Sequence, residues 1–384
     1  MDFDFTDEQS LLKDSVARWA ADRYGSLEQV EAARRKPLGF DGGAWSQLAE
    51  LGLLGLPFSE EDGGFGGGPV ETMIAVEALG RHLAPEPYLA SVVLGGGALR
   101  LAGTAAQREA LVPGLVEGSH RLAFAHGERQ ARYDRADVAT TARREGDGFR
   151  LDGAKAVVLN ADAAQTLVVS ARTAGGQRDE AGISLFLVPA DAPGLTIKPY
   201  PTQDGGRAAD LVLDDVILPA NALLGEANAG LPVIERVLDE GIAALCAEAV
   251  GVMEALHALT VDYLKTRKQF GTAIGGFQVL QHRAVDMLMS LEQARSMALY
   301  ATMMAGSDDA AERAPAVSAA KVQVNRAARY IGQEAVQLHG GIGMTLEYLG
   351  AHLFRRLATI EYLLGDTPYH LRRVSDAGGL LGAA

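Results

Sequence analysis

The chain has little cysteine, little positive charge and no long uncharged apolar run. Its 384 residues include one cysteine, Cys246, so an intramolecular disulfide and a metal site of several cysteines are excluded, and no metal is predicted. The chain carries 49 Asp and Glu against 35 Lys and Arg. This net charge of −14 argues against nucleic acid or an anionic membrane as the main partner. No stretch of about 18 uncharged apolar residues occurs, so no transmembrane helix is predicted.

The amino terminus shows no targeting pattern. Met1–Phe5 lack the basic region and apolar core of a secretory signal, so we expect a cytoplasmic protein. Hydrophobic residues make up 48% and charged residues 22% of the chain, as in ordinary globular proteins. A chain of this length is expected to form two or three domains, because single cores rarely grow so large.

Three patterns follow one another along the sequence. Residues 1–118 are predicted to be helical, because Thr6 and Gln9 have the spacing of a capping box and apolar residues recur at helical intervals. Residues 119–228 contain short apolar runs separated by Gly, Pro and Asp, which predicts a β-barrel or sandwich. Residues 229–384 return to long amphipathic helices, typical of a bundle of about four. The predicted fold is therefore α-helical with a central β domain.

Local patterns predict finer features of these regions. Asp147-Gly148 and Asp152-Gly153 are hairpin-type turn signals. The glycine-rich stretch Ser59–Pro69 lacks the Lys-Ser/Thr of a phosphate-binding loop, so we expect a structural loop. Two apolar stripes at helical spacing are expected in the carboxy-terminal bundle: Phe277, Leu280, Ala284, Met287, Leu288 and Leu291 in one, and Ala319, Val322, Val324, Ala328, Ile331 and Ala335 in the other.

Two glycine-containing motifs interrupt the carboxy-terminal helices. They read Arg267-Lys-Gln-Phe-Gly271 and Gln337-Leu-His-Gly-Gly-Ile-Gly343. A glycine inside a helix costs about 1 kcal/mol relative to alanine, so these motifs indicate a helix break or a close approach of the backbone to another group. Arginine offers bidentate, permanently charged donors that suit phosphate oxygens.

The two motifs and the order of the three regions resemble the acyl-CoA dehydrogenase family over nearly the whole chain. The resemblance implies FAD held between neighbouring subunits, and hence a homo-oligomer or a heteromer with a second such subunit. It implies α,β-dehydrogenation of an acyl-CoA substrate, with a carboxylate taking the α-proton, flavin N5 taking a hydride and an electron-transferring flavoprotein as acceptor. By position, the implied FAD contacts are Arg267, Phe270, Gln278, Gln337, Gly341 and Thr367.

The positions beside the flavin ring depart from the family pattern. Relatives carry a Trp-Ile-Thr/Ser run whose Trp covers the ring and whose hydroxyl bonds N5, whereas this chain has Val157 and Leu159 there. A leucine cannot donate a hydrogen bond to N5. Two interpretations follow. Either backbone groups hold the flavin, or the chain is a non-catalytic partner subunit that completes the FAD site of another chain.

The catalytic carboxylate is also displaced. Gly365 occupies the position of the family's Glu, and Asp366 follows it, so Asp366 is the predicted base. The alternative for Asp366 is a turn or cap residue in Gly-Asp-Thr-Pro. Glu240 is the second candidate, because some relatives draw their base from that helix, although the matching position here is Gly241. The alternative for Glu240 is an acid that favours a helix N-terminus.

Within the family, the chain most resembles a bacterial branch that includes the small subunit of pimeloyl-CoA dehydrogenase. Gln281-His-Arg283 and the Gly365-Asp366 segment carry this resemblance. Members of the branch often occur with a large subunit. A further interpretation is a flavin monooxygenase on the same fold, for which His126 or His370 would supply an active-site histidine.

Overall fold

The structure is a computed structural model, which describes residues 5–378. The chain forms two compact units and enters each of them more than once. The first unit contains the described parts of Met1–Ala32, Pro69–Ala84 and Ile242–Ala384, and the second contains Ala33–Gly68 and Pro85–Gly241. The helical and β regions expected from the sequence are present, and their boundaries at residues 118 and 228 stay a prediction.

The helices precede and follow a central run of strands. The first helix begins at the capping box that the sequence predicted, since Thr6 Oγ1 accepts from Gln9 N at 3.2 Å and Gln9 Oε1 accepts from Thr6 N at 3.1 Å. A π-helical turn, Leu89–Gly95, directly precedes α5. The helices are α1 (Asp7–Tyr24), α2 (Leu27–Arg34), α3 (Gly42–Glu50), α4 (Pro69–Arg81), α5 (Gly96–Ala102), α6 (Ala105–Val116), α7 (Gly230–Thr266), α8 (Gln278–Ala305), α9 (Ala310–His339), α10 (Leu349–Tyr362) and α11 (Thr367–Asp376).

The strands form an eight-stranded sheet in the second unit and a small hairpin in the first. They are β1 (Leu122–Ala125), β2 (Thr141–Glu145), β3 (Gly148–Leu159), β4 (Thr166–Arg172), β5 (Ile183–Pro189), β6 (Leu195–Pro201), β7 (Arg207–Leu218), β8 (Leu223–Leu224), β9 (Lys268–Gln269) and β10 (Thr272–Ala273). The order in the large sheet is β6-β7-β3-β2-β4-β5-β8, and β1 pairs in parallel with β4. Alternate side chains of these strands meet in one apolar core.

The two predicted hairpin turns have different outcomes. Glu145 pairs with Gly148, so Gly146-Asp147 forms the β2–β3 turn, one residue before the predicted position. The prediction at Asp152-Gly153 is wrong, because these residues lie inside β3 where its register against β7 shifts. A Cβ on Gly153 would lie 2.6 Å from Thr140 Cα, so this glycine permits a bulge and a close backbone contact.

The two predicted stripes of the bundle also differ. All six residues of the α9 stripe are buried, as predicted. On α8 the later residues Met287 and Leu291 are buried, but Leu288 is 42% exposed. Phe277, immediately before α8, is 36% exposed. The prediction of a continuous core-facing stripe is therefore wrong for the start of α8, where Leu280 and Ala284 are only half-buried.

The helix α7 is long and apolar enough to cross a membrane by length and composition alone. A window of 18 residues in this helix has a mean hydropathy of 1.6, and 67% of that window is buried within the structure. The prediction of no transmembrane helix rests on the absence of an uncharged apolar run of about 18 residues, and it stands beside this finding, because Glu248 and Glu254 interrupt the apolar part of α7 and such burial is that of a core helix. Cys246 lies in this helix, fully buried, and burial raises the pKa of its thiol to about 11.

Two glycines bring α4 and α7 into backbone contact in the first unit. A Cβ on Gly80 of α4 would lie 2.6 Å from Glu248 O, and a Cβ on Gly251 of α7 would overlap the carbonyl oxygen of Glu77. At the same crossing, Arg295 of α8 pairs with the Glu77 carboxylate at 2.9 Å. Close helix packing and an ion pair thus act together here.

We expect Gly251→Ala to destabilise the protein by about 1–3 kcal/mol, the usual range for overpacking, because a methyl group has no space against α4. Thermal unfolding followed by circular dichroism measures the change. Gly42→Ala is the matched control, since nothing lies within 4 Å of a Cβ at Gly42. A melting temperature for Gly251→Ala equal to that of the wild type would contradict the close crossing.

Candidate functional site

The Arg267–Gly271 motif forms the connection between α7 and α8. Arg267 follows the last residue of α7, and its backbone N–H donates to Tyr263 O at 2.8 Å. β9 and β10 then pair Gln269 with Thr272, which places Phe270 and Gly271 in the turn. Both turn residues have positive φ, 53° and 80°, and glycine meets that requirement at its position without strain. The Phe270 side chain is 91% exposed.

The second motif ends α9. His339 is the last residue of this helix, and Gly340–Met344 continue as a 3-10 turn. His339 is buried, and its Nδ1 donates to Ala335 O at 2.8 Å. Its ring centroid lies 4.6 Å from that of Tyr263, which precedes Arg267 by about one helical turn. This ring contact holds the two motifs beside each other in the first unit.

The residues predicted to contact the dinucleotide are exposed, except Thr367, which is half-buried. Gln278 is the first residue of α8, next to Phe277, whose ring lies 6.1 Å from that of Phe270. No hydrogen bond or ion pair within residues 5–378 engages the Arg267 guanidinium, and a Cβ at Gly341 would meet nothing within 4 Å. A free guanidinium and an open backbone fit the diphosphate of FAD. The exposed set comprises Arg267, Phe270, Gln278, Gln337 and Gly341.

The predicted flavin-ring positions lie on a bulge of β3 in the second unit. The register of β3 against β7 shifts between Lys155 and Val158. Within the bulge, Val157 has a φ of 56°, which is strained for a β-branched residue, and its N–H donates to Asp210 Oδ1 at 3.2 Å. Leu159 is half-buried and has no polar side-chain atom. The side chains at 157 and 159 therefore offer no hydrogen-bond donor to a flavin ring.

A buried polar cluster beside this bulge was absent from the sequence prediction. Lys155 Nζ donates to Glu128 Oε1 at 2.6 Å and to Ser170 Oγ at 3.0 Å, and all three residues are buried. Burial lowers the pKa of Lys155 to about 8, and the Glu128 carboxylate opposes that shift. Ser170 Oγ also lies 3.0 Å from His126 Nδ1. The sequence signal for this cluster is a lysine between the apolar Ala154 and the apolar residues 156–159 at the end of β3, since a buried lysine needs partners.

Asp366 lies immediately before α11 and caps it. Its Oδ1 accepts from Tyr369 N at 2.9 Å, so the cap role that the sequence offered as an alternative is present. The residue is 7% exposed. The preceding Gly365 has a φ of 128°, and a Cβ there would overlap His370 Nε2 and lie 2.6 Å from Tyr369 Cδ1. No glutamate fits at 365 in this backbone, and the buried carboxylate of the loop stands one residue later.

Glu240 is bound by two arginines in the second unit. Its Oε2 accepts from Arg100 at 2.6 Å, and its Oε1 accepts from Arg236 at 3.0 Å. Glu240 lies well inside α7, which begins at Gly230, so the suggestion that it favours a helix N-terminus is wrong. Taking up a proton would break at least one of these ion pairs.

Polar residues of α9 hold the loop that carries Asp366. Lys321 is fully buried, and its Nζ donates to Ile360 O at 2.6 Å, near the end of α10. Asn325, one turn further along α9, donates through Nδ2 to Thr367 Oγ1 at 3.4 Å. The sequence alone predicts no functional role for these two α9 residues. The sequence feature that indicates them is a pair of polar residues at helical spacing beside an apolar stripe.

The remaining candidate histidine, His370, is fully buried in the first unit. Its Nδ1 lies 3.1 Å from Ser318 Oγ. Across residues 5–378, no group of three or more His, Cys, Asp or Glu side chains is arranged to hold a metal ion.

The chain matches three family models in succession. These are described as "Acyl-CoA dehydrogenase, N-terminal domain" over residues 6–119, "Acyl-CoA dehydrogenase, middle domain" over residues 123–216 and "Acyl-CoA dehydrogenase, C-terminal domain" over residues 228–378. Together they cover most of the chain.

Known proteins are similar to the chain along its whole length. "Probable acyl-CoA dehydrogenase YngJ" of Bacillus subtilis (strain 168) is 32% identical over 387 residues, covering 99% of this chain and 100% of that protein. Butyryl-CoA dehydrogenase from Megasphaera elsdenii has a TM-score of 0.89 at 28% identity, covering 98% of this chain and 99% of that chain. A chain of the ChsE4-ChsE5 complex from Mycobacterium tuberculosis has a TM-score of 0.86 at 27% identity, covering 98% of both chains.

These matches confirm the order of a helical, a β and a second helical region, and they confirm FAD as the cofactor. The guanidinium and open glycines of the first unit are chemically suited to that cofactor. The chain belongs to the acyl-CoA dehydrogenase family, whose members are oxidoreductases that use FAD to introduce a double bond into acyl-CoA thioesters.

Proposed function

We propose that this acyl-CoA dehydrogenase removes the α-proton of its substrate with the carboxylate of Asp366. The electron pair of the broken C–H bond forms the new double bond as a hydride leaves the β-carbon. When bound, FAD supplies the acceptor for that hydride. The chain's own residues supply the proton acceptor and the groups that hold the cofactor and the substrate.

The conformation of the loop before α11 carries this proposal. Because a side chain at 365 would overlap His370, the backbone requires glycine there, and the next residue supplies the acid of the loop. Asp366 is buried, an environment in which a carboxylate can serve as a general base. Glu240 is the less favourable candidate, because guanidinium groups engage both of its oxygens.

Asp366→Asn tests the base directly. Asparagine caps helices as well as aspartate does, so α11 should keep its start while the proton acceptor is lost. We expect anaerobic bleaching of the flavin by a saturated acyl-CoA to slow by about 10²–10⁴-fold, with FAD content and melting temperature unchanged. Stopped-flow absorbance measures the rate.

Two further variants separate this role from the alternatives. Asp41→Asn is the control for capping, since Asp41 caps α3 in the same way, and it should leave bleaching unchanged. Glu240→Gln tests the second candidate. Undiminished bleaching in Asp366→Asn would remove Asp366 from the mechanism, and a loss confined to Glu240→Gln would assign the role to Glu240.

We also propose that the exposed groups of the first unit hold the dinucleotide of FAD. Arg267 would bind the diphosphate, and Gln278, Gln337 and the backbone at Gly341 would hydrogen-bond the adenosine half. Phe270 would pack against it, and Thr367, already fixed by Asn325, would contact the cofactor from the start of α11. The support for this assignment is the family pattern together with the exposure of these groups.

Arg267→Ala should weaken FAD binding by about 10–100-fold, the loss expected for a charge-assisted hydrogen bond to phosphate. Fluorescence quenching of FAD during titration measures the affinity. Lys268→Ala is the matched control, because Lys268 is an exposed cation of the same hairpin. Equal losses in both variants would indicate an unspecific charge effect and contradict the assigned role of Arg267.

An exposed apolar surface supports an oligomer, and we propose that a second acyl-CoA dehydrogenase subunit covers it. We call this surface the α8 face: Val285, Leu288 and Met289, which are 54%, 42% and 55% exposed. Ile342 and Met344, just after α9, are 44% and 72% exposed. Monomeric proteins rarely leave so many large apolar side chains uncovered. The second subunit is a copy of this chain or a related chain, as in the ChsE4-ChsE5 complex.

The double variant Val285→Glu, Met289→Glu should dissociate the oligomer, because it would bury two carboxylates in an apolar contact. Size-exclusion chromatography with light scattering gives the mass. Ser296→Glu, an exposed position further along α8, is the control. A wild-type holoenzyme that is already monomeric would contradict the proposed contact.

Three finer assignments complete the proposal. We propose that an electron-transferring flavoprotein reoxidises the cofactor, that the protein is cytoplasmic, and that it belongs to the branch of the pimeloyl-CoA dehydrogenase small subunit. The alternative role as a non-catalytic partner subunit is not favoured by the full-length matches to acyl-CoA dehydrogenases. A purified chain that stays colourless after addition of FAD would favour the role of a non-catalytic partner subunit.

A further inference from the structure

His126 lies on the face of the sheet that carries the flavin-ring positions. Ala123 and Ala125 of β1 belong to the apolar core, so Phe124 and His126 point to the opposite face. Ser170 of β4 lies on that opposite face too, between the core residues Val169 and Ala171, and its Oγ lies 3.0 Å from His126 Nδ1. Since Val158 belongs to the same core, its neighbour Leu159 also points to the face of His126.

A backbone contact places His126 directly beside the bulge. Gly127, the next residue, accepts through its carbonyl a hydrogen bond of 2.8 Å from Ala156 N. The bulge residue Val157 follows Ala156 in the chain. His126, Val157 and Leu159 are therefore neighbours on one face of the second unit.

The buried cluster determines which ring nitrogen of His126 carries the proton. Lys155 is a donor only, and its Nζ lies 3.0 Å from Ser170 Oγ, so that oxygen accepts from the ammonium. Ser170 is fully buried, and within residues 5–378 its O–H has no acceptor other than His126 Nδ1, so the hydroxyl donates to that nitrogen. A neutral imidazole whose Nδ1 accepts a hydrogen bond has its proton on Nε2.

The charge state of His126 agrees with this chain of hydrogen bonds. Burial is the main cause that lowers the pKa of His126 to about 3, and the positive charges of Lys155 and Arg135 act in the same direction. The ring is therefore neutral at physiological pH. Its Nε2–H makes no hydrogen bond to any residue between 5 and 378, and the side chain is half-buried.

We infer that His126 is a cofactor-binding residue whose Nε2–H donates to the isoalloxazine ring of FAD, in place of the hydroxyl that Leu159 lacks. This inference rests on the proposed function, because it needs the flavin ring on this face of the sheet. Val157 cannot take the role through its backbone, since its N–H already donates to Asp210. Of the three neighbours, His126 alone presents a donor held in one orientation.

Three substitutions of His126 in the holoenzyme test the donor. Glutamine places an amide N–H near the position of Nε2, asparagine places it near Nδ1, and alanine removes it. We expect His126→Ala and His126→Asn to weaken the binding of oxidised FAD about tenfold and to raise the two-electron midpoint potential of the flavin, because N5 accepts a hydrogen bond in the oxidised ring but carries a hydrogen in the reduced ring. His126→Gln should restore both quantities towards wild type.

His120→Ala is the matched control. His120 is a second half-buried histidine of the same unit and contacts a hydroxyl of the same strand, with Nε2 3.0 Å from Thr166 Oγ1. It should change neither the affinity nor the potential. Midpoint potentials and FAD affinities of His126→Ala and His126→Asn equal to those of the wild type would overturn the inference.

A second measurement locates the imidazole proton of His126 and does not depend on catalysis. In ¹⁵N NMR of histidine-labelled holoenzyme, His126 should show a protonated Nε2 and an unprotonated Nδ1, and Ser170→Ala should weaken that preference. A wild-type His126 protonated at Nδ1 would overturn the inference. Failure of the proposed function is distinguishable, because in that case the wild type would bind no FAD or would show no bleaching by acyl-CoA, whatever the state of His126.

Discussion

The functional surface of the second unit depends on the buried ammonium of Lys155. Its acceptors lie on separate segments: the Glu128 carboxylate and the His126 carbonyl after β1, and the Ser170 hydroxyl on β4. Glu128 in turn accepts from the backbone N–H of Thr140 at 3.1 Å. Removing one partner of such a buried pair costs about 3–5 kcal/mol, because the other charge stays buried. One charge therefore fixes the segment that carries His126 against the bulge of β3.

A second buried lysine acts on the first unit in a related way. Lys321 donates to the carbonyl of Ile360, and burial lowers its pKa to about 8. The contact fixes the end of α10, after which the backbone adopts the positive φ of Leu364 and Gly365. That turn delivers Asp366 to the start of α11. The position of the proposed base is thus determined from α9, a helix distant in sequence.

Local sequence patterns predicted the structural features that depend only on residues close together in the chain. The capping box at Thr6, the α9 stripe and the helix breaks at the two glycine motifs were all visible in the sequence, because each is decided within a few residues. The contacts of Lys155 with Glu128 and of Glu240 with Arg100 were not, because they join residues far apart in the chain. The exposure of the first turns of α8 was not predicted, because an apolar stripe on a helix does not show whether the same chain or another subunit covers it.

The two departures from the family pattern have different physical origins. At 365 the missing side chain is a steric consequence of the turn, and the proposed base, Asp366, is the next residue of the same loop. At 159 the missing hydroxyl has no replacement in its own strand, since the neighbouring Val157 N–H is engaged by Asp210. The proposed replacement comes from the segment after β1, where Gly127 O accepts from Ala156 N of β3 at 2.8 Å. On that proposal, the cluster around Lys155 orients His126, and an imidazole after β1 replaces the hydroxyl that β3 lacks.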